Sequence, residues 1–239
     1  MRPVVLDLDQ TLIRGEDVDW TLWLAACEGA LGVPVARTLD WASFPVHTDH
    51  GLLASLSLRL RGKPLEPGER EAFEQLVDQL LVRALEDEPN LFTPVAGAAD
   101  FLATTRERAC IATGNLRAST RLKLRSAGLD RYGVPAACSE DADTRSGLVA
   151  HALRKVGWEP GAPATSFGDA VWDVQAARLL GIGFVGVAQS DAHEVKLRTA
   201  GARHVIRDFT NQATVIALAL SADPPREADA SNPGSAHGG

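Results

Sequence analysis

The stretch VVLDLDQT, residues 4–11, places two carboxylates at the end of a run of apolar residues. A short run rich in Val and Leu is typical of a buried β-strand. An ionised carboxylate is costly to bury unless a nearby charge or hydrogen bond offsets the cost. Asp7 and Asp9 therefore indicate that this strand leads into a functional site.

Five further apolar runs follow, separated by helical patterns, several of which stop at a glycine. They are ACIAT (109–113), VPAAC (134–138), TSFGD (165–169), FVGVA (184–188) and HVIRDF (204–209). Strands that alternate with helices predict an α/β fold, in which a doubly wound, mostly parallel sheet carries helices on both faces.

The alternation fails between residues 16 and 90, where the pattern is helical throughout. The run SLSLRL, residues 55–60, also alternates with a period of two, which leaves a strand open there. We expect an α/β core over residues 1–15 and 91–220, with residues 16–90 inserted as an all-helical domain, the helical insert. Residues 221–239 lack Val, Ile, Leu and Phe, which predicts a disordered tail.

The charge pattern argues against nucleic acid and membrane partners. The chain of 239 residues has a formal net charge of −7 and no dense run of Lys and Arg. No apolar span approaches the ~20 residues of a membrane helix, and no signal segment is recognisable. Three widely spaced cysteines suggest neither a disulfide framework nor a metal knuckle. We expect a cytoplasmic protein, either a monomer or a homodimer.

Polar residues follow the first, second and fourth predicted strands. Asp7 and Asp9 end the first, Thr113-Gly114-Asn115 ends the second, and Asp169 ends the fourth, with Asp173 four residues later. The carboxyl ends of parallel strands share one edge of a doubly wound sheet, where ligands bind. Four carboxylates at one edge repel one another unless a cation neutralises them. Oxygen ligands without His or Cys favour Mg²⁺, so the sequence predicts a magnesium site.

This constellation resembles the haloacid dehalogenase-like (HAD) hydrolase superfamily, chiefly its phosphoglycolate-phosphatase-like branch with a helical cap. The family's DxDxT motif matches residues 7–11, and its GDxxxD motif matches residues 168–173. The resemblance covers nearly the whole chain except the tail. It implies a Rossmann-like core in which the helical insert is the cap.

The resemblance also implies a role for each matching residue. Asp7 is expected to be the nucleophile that forms an aspartyl-phosphate, and Asp9 the general acid and base. The residues expected to bind the substrate phosphoryl group are Thr11, Thr113, Gly114 and Asn115. The residues expected to hold magnesium are Asp7, Asp9 through its backbone carbonyl, Asp169 and Asp173.

The family's third motif, usually a lysine beside the nucleophile, has no lysine at the matching position. Arg145 is the preferred candidate because it follows the third predicted strand, at the edge where the other motifs gather. An arginine supplies the charge with a different, bidentate geometry. Lys123 is the rival, but it lies inside a predicted helix, where we expect a surface position.

The helical insert carries a polar run at His47, Thr48 and Asp49, which are candidate substrate-binding residues. Caps of the family often place such a loop over the active site. Two alternatives remain open: Thr48 or Asp49 caps the next helix, or His47 and His50 form a zinc pair without further nearby ligands.

Together these features predict a Mg²⁺-dependent phosphatase that acts on a small phosphorylated metabolite through an aspartyl-phosphate. A phosphomutase with the same motifs and a noncatalytic module that binds a phosphorylated ligand are the alternatives. Dehalogenation is disfavoured because it does not need the acid that Asp9 supplies.

Overall fold

The computed structural model describes residues 2–39 and 43–227. Its strands are β1 (Val4–Leu6), β2 (Ile13–Arg14), β3 (Thr93–Pro94), β4 (Ala109–Ala112), β5 (Ala136–Ala137), β6 (Thr165–Gly168), β7 (Gly183–Val187) and β8 (His204–Ile206). Six of them form one sheet in the order β5-β4-β1-β6-β7-β8, and every neighbouring pair is parallel. All six predicted strands are present, which confirms the α/β prediction.

The helices are α1 (Glu16–Leu31), α2 (Asp49–Arg61), α3 (Glu69–Asp87), α4 (Ala98–Thr105), α5 (Arg117–Ser126), α6 (Arg145–Arg154), α7 (Val171–Leu180), α8 (Asp191–Thr199) and α9 (Gln212–Ser221). Helices α4, α5 and α9 share one apolar cluster with the sheet, whereas α6, α7 and α8 share another. Val4 and Leu6 belong to the first cluster and Val5 to the second. Because β1 is covered on both faces, its sequence is an unbroken apolar run.

Residues 16–90 contain α1, α2 and α3, which enclose a third apolar cluster. The run at residues 55–60 lies within α2, so the alternative of a strand there is wrong. Leu53, Leu56 and Ser57 are buried on one face of α2, whereas Leu58 is exposed. The helical period thus decides which residues of this run are buried.

A two-stranded antiparallel sheet, which the sequence analysis does not predict, lies where the chain leaves and re-enters the core. In it Ile13 pairs with Pro94 and Arg14 pairs with Thr93. Two-residue strands are too short to show a hydrophobic period, so the pattern could not reveal them. The pairing holds together the two connections between the core and the helical insert.

The chain after α9 departs in part from the predicted tail. Ala222 is buried, the Phe184 amide donates to the Asp223 carbonyl over 3.1 Å, and the Arg226 amide donates to the Gly201 carbonyl over 2.9 Å. Composition reports side chains, whereas residues 222–227 are held mainly through their backbone. Residues 228–239 lie outside the described part of the chain.

Two predictions drawn from composition can be compared with the structure. Cys27, Cys110 and Cys138 are buried and unpaired, as expected of small apolar residues. Within residues 2–39 and 43–227, no helix combines the length and apolar character needed to cross a membrane.

Candidate active site

The strand order brings the predicted motifs to one edge of the sheet. Strand β1 lies between β4 and β6, with Leu6 beside Ile111 and Phe167. The amide of Asp7 donates to the Phe167 carbonyl over 2.9 Å, which fixes the backbone just beyond β1. The first, second and fourth predicted strands therefore end side by side, as the sequence predicts.

Asp7, Asp169 and Asp173 form a compact carboxylate group. One oxygen from each of them lies within 4.8 Å of the others. Burial raises the pKa of Asp7 to about 7; Arg145 opposes this rise, whereas the charges of Asp173 and Asp9 add to it. Burial is thus the main cause of the raised pKa, and the neighbouring carboxylates add to it.

Arg145 is the first residue of α6 and lies between two of these carboxylates. Its Nη2 donates to Asp7 Oδ1, and its Nε donates to Asp173 Oδ1 over 2.6 Å. Burial lowers the pKa of Arg145, but the charges of Asp173 and Asp7 reverse that effect and hold it above the usual value. The helix begins here because the Thr144 side chain accepts from the Gly147 amide, which caps the first turn.

The carboxylate group fits a divalent cation. Its three ligand atoms are hard carboxylate oxygens, and Arg145 supplies only one positive charge against them. The carboxylate of Asp9 does not belong to this group, because it contacts other partners. A contribution of Asp9 through its backbone carbonyl stays a prediction.

Asp9 belongs to a second polar cluster, which contains the buried Lys123. Lys123 Nζ lies 3.1 and 3.3 Å from the two Asp9 carboxylate oxygens, 2.6 Å from Asp19 Oδ2 and 3.2 Å from Asn115 Oδ1. Burial lowers the pKa of Lys123, but the Asp19 and Asp9 charges more than reverse this and raise it above the usual value.

The expectation that Lys123 lies on the surface is wrong, because its exposed fraction is 0%. The inward face of α5 carries Ser119, Thr120 and Leu124 as well as Lys123. Its carboxylate acceptors, Asp9 and Asp19, are distant in sequence, and only the fold brings them to it.

Thr113 and Asn115 follow β4, and Asn115 belongs to the cluster around Asp9. The Thr113 hydroxyl accepts from the Asn115 amide over 3.2 Å and from Asn115 Nδ2 over 2.9 Å. Both bonds use the oxygen as acceptor, so the Thr113 O–H can donate to a ligand. Asn115 Nδ2 also donates to Asp9 Oδ2.

The comparison with known families decides the identity of the fold. A family model described as haloacid dehalogenase-like hydrolase matches residues 1–181. The chain is a member of the haloacid dehalogenase-like hydrolase family. No curated protein sequence matches the chain.

Solved structures agree with the fold of this hydrolase. A hydrolase from Pseudomonas syringae is 23% identical, with a TM-score of 0.65, 90% of this chain and 99% of that chain covered. A putative beta-phosphoglucomutase from Bacteroides vulgatus is 19% identical, with a TM-score of 0.68 and coverage of 92% and 91%. A predicted phosphoglycolate phosphatase from Haemophilus somnus is 14% identical, with a TM-score of 0.65 and coverage of 90% and 98%.

The segment of the hydrolase that precedes α2 contacts the core beside the carboxylates. The ring of His47 stacks on Trp172 of α7, with 4.0 Å between ring centroids and 17° between planes. The amide of Asp49 donates to the Gly114 carbonyl over 2.8 Å. A Cβ at Gly114 would collide with the His47 carbonyl oxygen, so this close approach requires glycine. Burial, followed by the charge of Arg145, lowers the pKa of His47.

Thr48 and Asp49 have partners that leave them little freedom to contact a substrate. The Thr48 side chain accepts from the Gly51 amide over 3.1 Å and caps α2, which is the alternative that the sequence left open. Asp49 accepts from Trp23 Nε1 and from the Leu116 amide, each over 2.8 Å. Of the three candidates in the helical insert, only His47 lies beside the carboxylate group.

The proposed zinc pair does not form in the described part of the chain. His50 Nε2 lies 2.8 Å from Glu74 Oε1, whereas His47 stacks on Trp172. Among the described residues, the potential metal-binding group contains only aspartates.

Thr11 and Gln10, which follow Asp9, have different surroundings. Thr11 is buried, and its hydroxyl has no hydrogen-bond partner among the described residues. Its assignment to substrate binding stays a prediction. Gln10 has a φ of 59°, in the left-handed region, and its side-chain oxygen accepts from Gln189 Nε2 over 2.5 Å.

His193, which no sequence motif identifies, contacts the backbone beside the carboxylate group. His193 Nδ1 accepts from the Gln189 amide over 3.4 Å, so Nε2 carries the proton and donates to the Asp169 carbonyl over 2.6 Å. The Gln189 side chain in turn contacts Gln10. No motif identifies these residues, because the fold creates their contacts with Asp169 and Gln10.

Proposed function

We propose that this hydrolase is a Mg²⁺-dependent phosphatase that cleaves the phosphomonoester of a small metabolite through an aspartyl-phosphate on Asp7. The observation that carries the proposal is the division of labour between the two DxDxT carboxylates. Asp7 lies with Asp169, Asp173 and Arg145, whereas Asp9 is held separately by Lys123 and Asn115. One carboxylate can therefore attack phosphorus while the other transfers a proton.

In the first step an Asp7 carboxylate oxygen forms a bond to phosphorus as the bond to the leaving oxygen breaks. Asp9, protonated at this stage, donates its proton to the leaving oxygen, and an alcohol departs. The Thr113 hydroxyl and the backbone N–H of Gly114 bind the transferring phosphoryl oxygens, whereas the Asn115 N–H already donates to Thr113. Bound magnesium supplies positive charge that offsets the carboxylates and the phosphoryl group.

In the second step water attacks phosphorus and the bond to Asp7 breaks. Asp9, now ionised, accepts a proton from that water, which returns both carboxyls to their starting states. Phosphate leaves as the second product. No oxidant or further reactant is needed.

We propose that Arg145 replaces the lysine of the family's third motif. Its Nη2 contacts the nucleophile directly, and its Nε contacts Asp173. Lys123 lies beside Asp9 instead, which favours Arg145 for this role. The guanidinium bridges Asp7 and Asp173, so it orients Asp7 as well as offsetting its charge.

A small substrate fits the closed approach of the helical insert to the site. His47 and Trp172 are stacked beside the carboxylates, so the pair must border any bound ligand. We propose His47 as the substrate contact from the insert. Asp49, Thr48 and Thr11 are weaker candidates because they are buried. The cytoplasmic location and the monomeric or dimeric state stay predictions.

A phosphomutase is the second candidate, because a structural neighbour from Bacteroides vulgatus is described as a putative beta-phosphoglucomutase. The same carboxylates would then pass the phosphoryl group to a sugar hydroxyl instead of water. A module that binds a phosphorylated ligand without turnover would not need Asp9 to be held for proton transfer.

The test is phosphate release from p-nitrophenyl phosphate and a panel of small phosphorylated metabolites, with magnesium and with EDTA. We expect turnover that requires magnesium and is lost in Asp7→Asn. Isomerised phosphosugar without net phosphate release would favour the mutase. Ligand binding without either product would favour the noncatalytic module.

A further inference from the structure

We infer that Lys123 is a positioning residue that holds the Asp9 carboxyl in its working orientation and fastens it to the helical insert through Asp19. The inference rests on the proposed function, because it concerns the residue that transfers the proton. Lys123 lies on α5 of the core, Asp9 follows β1, and Asp19 lies on α1 of the insert.

Lys123 has fewer hydrogen-bond donors than there are acceptor oxygens around it. An ammonium group has three N–H donors and no acceptor. Four oxygens, from Asp9, Asp19 and Asn115, lie between 2.6 and 3.3 Å from Nζ. Protein groups therefore occupy every donor, and the exposed fraction of Lys123 is 0%. Lys123 has no donor left for a substrate oxygen.

The side-chain contacts around the Asp9 carboxyl form a closed ring. Lys123 contacts both Asp9 oxygens, Asn115 Nδ2 donates to Asp9 Oδ2, and Asn115 Oδ1 accepts from Lys123. This ring of three side chains fixes the rotation of the carboxyl. Proton transfer depends on that orientation, because donor and acceptor must lie within hydrogen-bond distance.

The remaining contact of Lys123 comes from the helical insert. Asp19 gives the shortest contact to Lys123, at 2.6 Å, and it belongs to the helical insert. The polar cluster around Asp9 is therefore complete only when α1 lies against α5. By contrast, the partners of Asp7 all belong to the core.

The alternative is that Lys123 is only a buried ion pair that joins α1 to α5. Such a role would reduce activity by distorting the site as a whole, and every substrate would be affected alike. A residue that orients the general acid affects most the substrates whose leaving group needs a proton. Phenyl phosphate and p-nitrophenyl phosphate separate these cases, because they differ in shape only by the nitro group and phenolate is the poorer leaving group.

The experiment compares kcat/KM of Lys123→Met and Lys123→Gln on both aryl phosphates in the presence of magnesium. Arg121→Met is the matched control, since it removes a positive charge from the exposed face of the same helix. We expect the Lys123 variants to lose about tenfold more kcat/KM on phenyl phosphate than on p-nitrophenyl phosphate, within the range of general acid catalysis. Equal losses on the two substrates would overturn the inference.

The connection to the helical insert is tested with Asp19→Asn. We expect a smaller loss with the same dependence on leaving group, and a double variant with Lys123→Met that is no worse than Lys123→Met alone. Losses that multiply in the double variant would show that Asp19 acts independently, which contradicts the proposed fastening.

A second measurement does not depend on turnover, so it separates this inference from the proposed function. Urea unfolding is followed for Asp9→Asn, Lys123→Met and the double variant. If Lys123 holds Asp9, Lys123→Met lowers the urea midpoint less when Asp9 is already replaced. Equal shifts would overturn the inference, whereas a wild type that releases no phosphate but keeps this coupling would overturn only the phosphatase proposal.

Discussion

The two carboxylates of the DxDxT motif are two residues apart, yet they have different surroundings. Asp7 contacts Arg145 and lies with Asp169 and Asp173, all of them core residues. Asp9 contacts Lys123 and Asn115, and that cluster includes Asp19 of the helical insert. The difference indicates that core residues hold the proposed nucleophile, whereas the cluster around the proposed general acid also includes a residue of the insert.

Replacing Asp7, the proposed nucleophile, is expected to have the largest effect. We expect Asp7→Asn to lower kcat by at least about 10³-fold, because an amide oxygen is a poor nucleophile toward phosphorus. Far-UV circular dichroism checks that the variant folds. Turnover near the wild-type rate would remove the proposed mechanism.

Substitution of Arg145 tests only the surroundings of Asp7 in the core. We expect Arg145→Met to lower kcat by about 10²-fold, because Asp7 and Asp173 lose a shared positive charge. Arg145→Lys restores part of that loss, since it returns the charge without the planar group that bridges Asp7 and Asp173. The ratio of phenyl to p-nitrophenyl phosphate turnover should stay unchanged; a change in it would mean that Arg145 also acts on Asp9.

Gly114→Ala tests the seating of the helical insert. The new methyl group would collide with the His47 carbonyl oxygen, and we expect a loss of stability of about 1–3 kcal/mol. KM should rise, because His47 moves from its place beside Trp172. Steady-state kinetics and urea unfolding measure the two effects. Unchanged values of both would contradict the close approach of insert and core.

The smallest expected effect is on the pH dependence of stability, which tests the burial of Asp49 in the helical insert. Burial raises the pKa of Asp49 to about 7, and the unfolded value is near the ordinary ~3.9. The stability from the protonated carboxyl is therefore fully present below about pH 4 and is lost as pH rises through about 7. We expect wild-type unfolding free energy to fall more between pH 5 and pH 8 than that of Asp49→Asn.

The matched control for that measurement is Glu86→Gln, at an exposed position of α3. It should follow the wild-type pH dependence. If Asp49→Asn also follows the wild type, Asp49 does not titrate in this range and the expectation fails.

The strands of the sheet, though not their order, could be predicted because central strands such as β1 and β4 are buried on both faces and therefore appear as unbroken apolar runs. The two short strands β2 and β3 could not, since two residues show no period. The motif residues could be anticipated because each follows a strand at one edge. The spacing of the motifs, however, does not show that Arg145 contacts Asp7 whereas Lys123 contacts Asp9.

Lys123 illustrates the limit most clearly. An isolated lysine in a helix is usually exposed, and its carboxylate partners lie more than a hundred residues earlier in the chain. Residues 222–227 illustrate another limit, because backbone hydrogen bonds hold a segment whose composition indicates disorder. In both cases tertiary contacts override the local pattern.

The most direct test of the division between Asp7 and Asp9 is acid quench of the hydrolase during turnover of p-nitrophenyl phosphate with magnesium, followed by peptide mapping. The account predicts a phosphoryl group on Asp7 that accumulates further in Asp9→Asn, because hydrolysis then lacks its base. The contradicting result has three parts. Asp9→Asn carries no phosphoryl group on Asp7, it nevertheless releases p-nitrophenol beyond one equivalent, and Asp7→Asn still turns over the substrate.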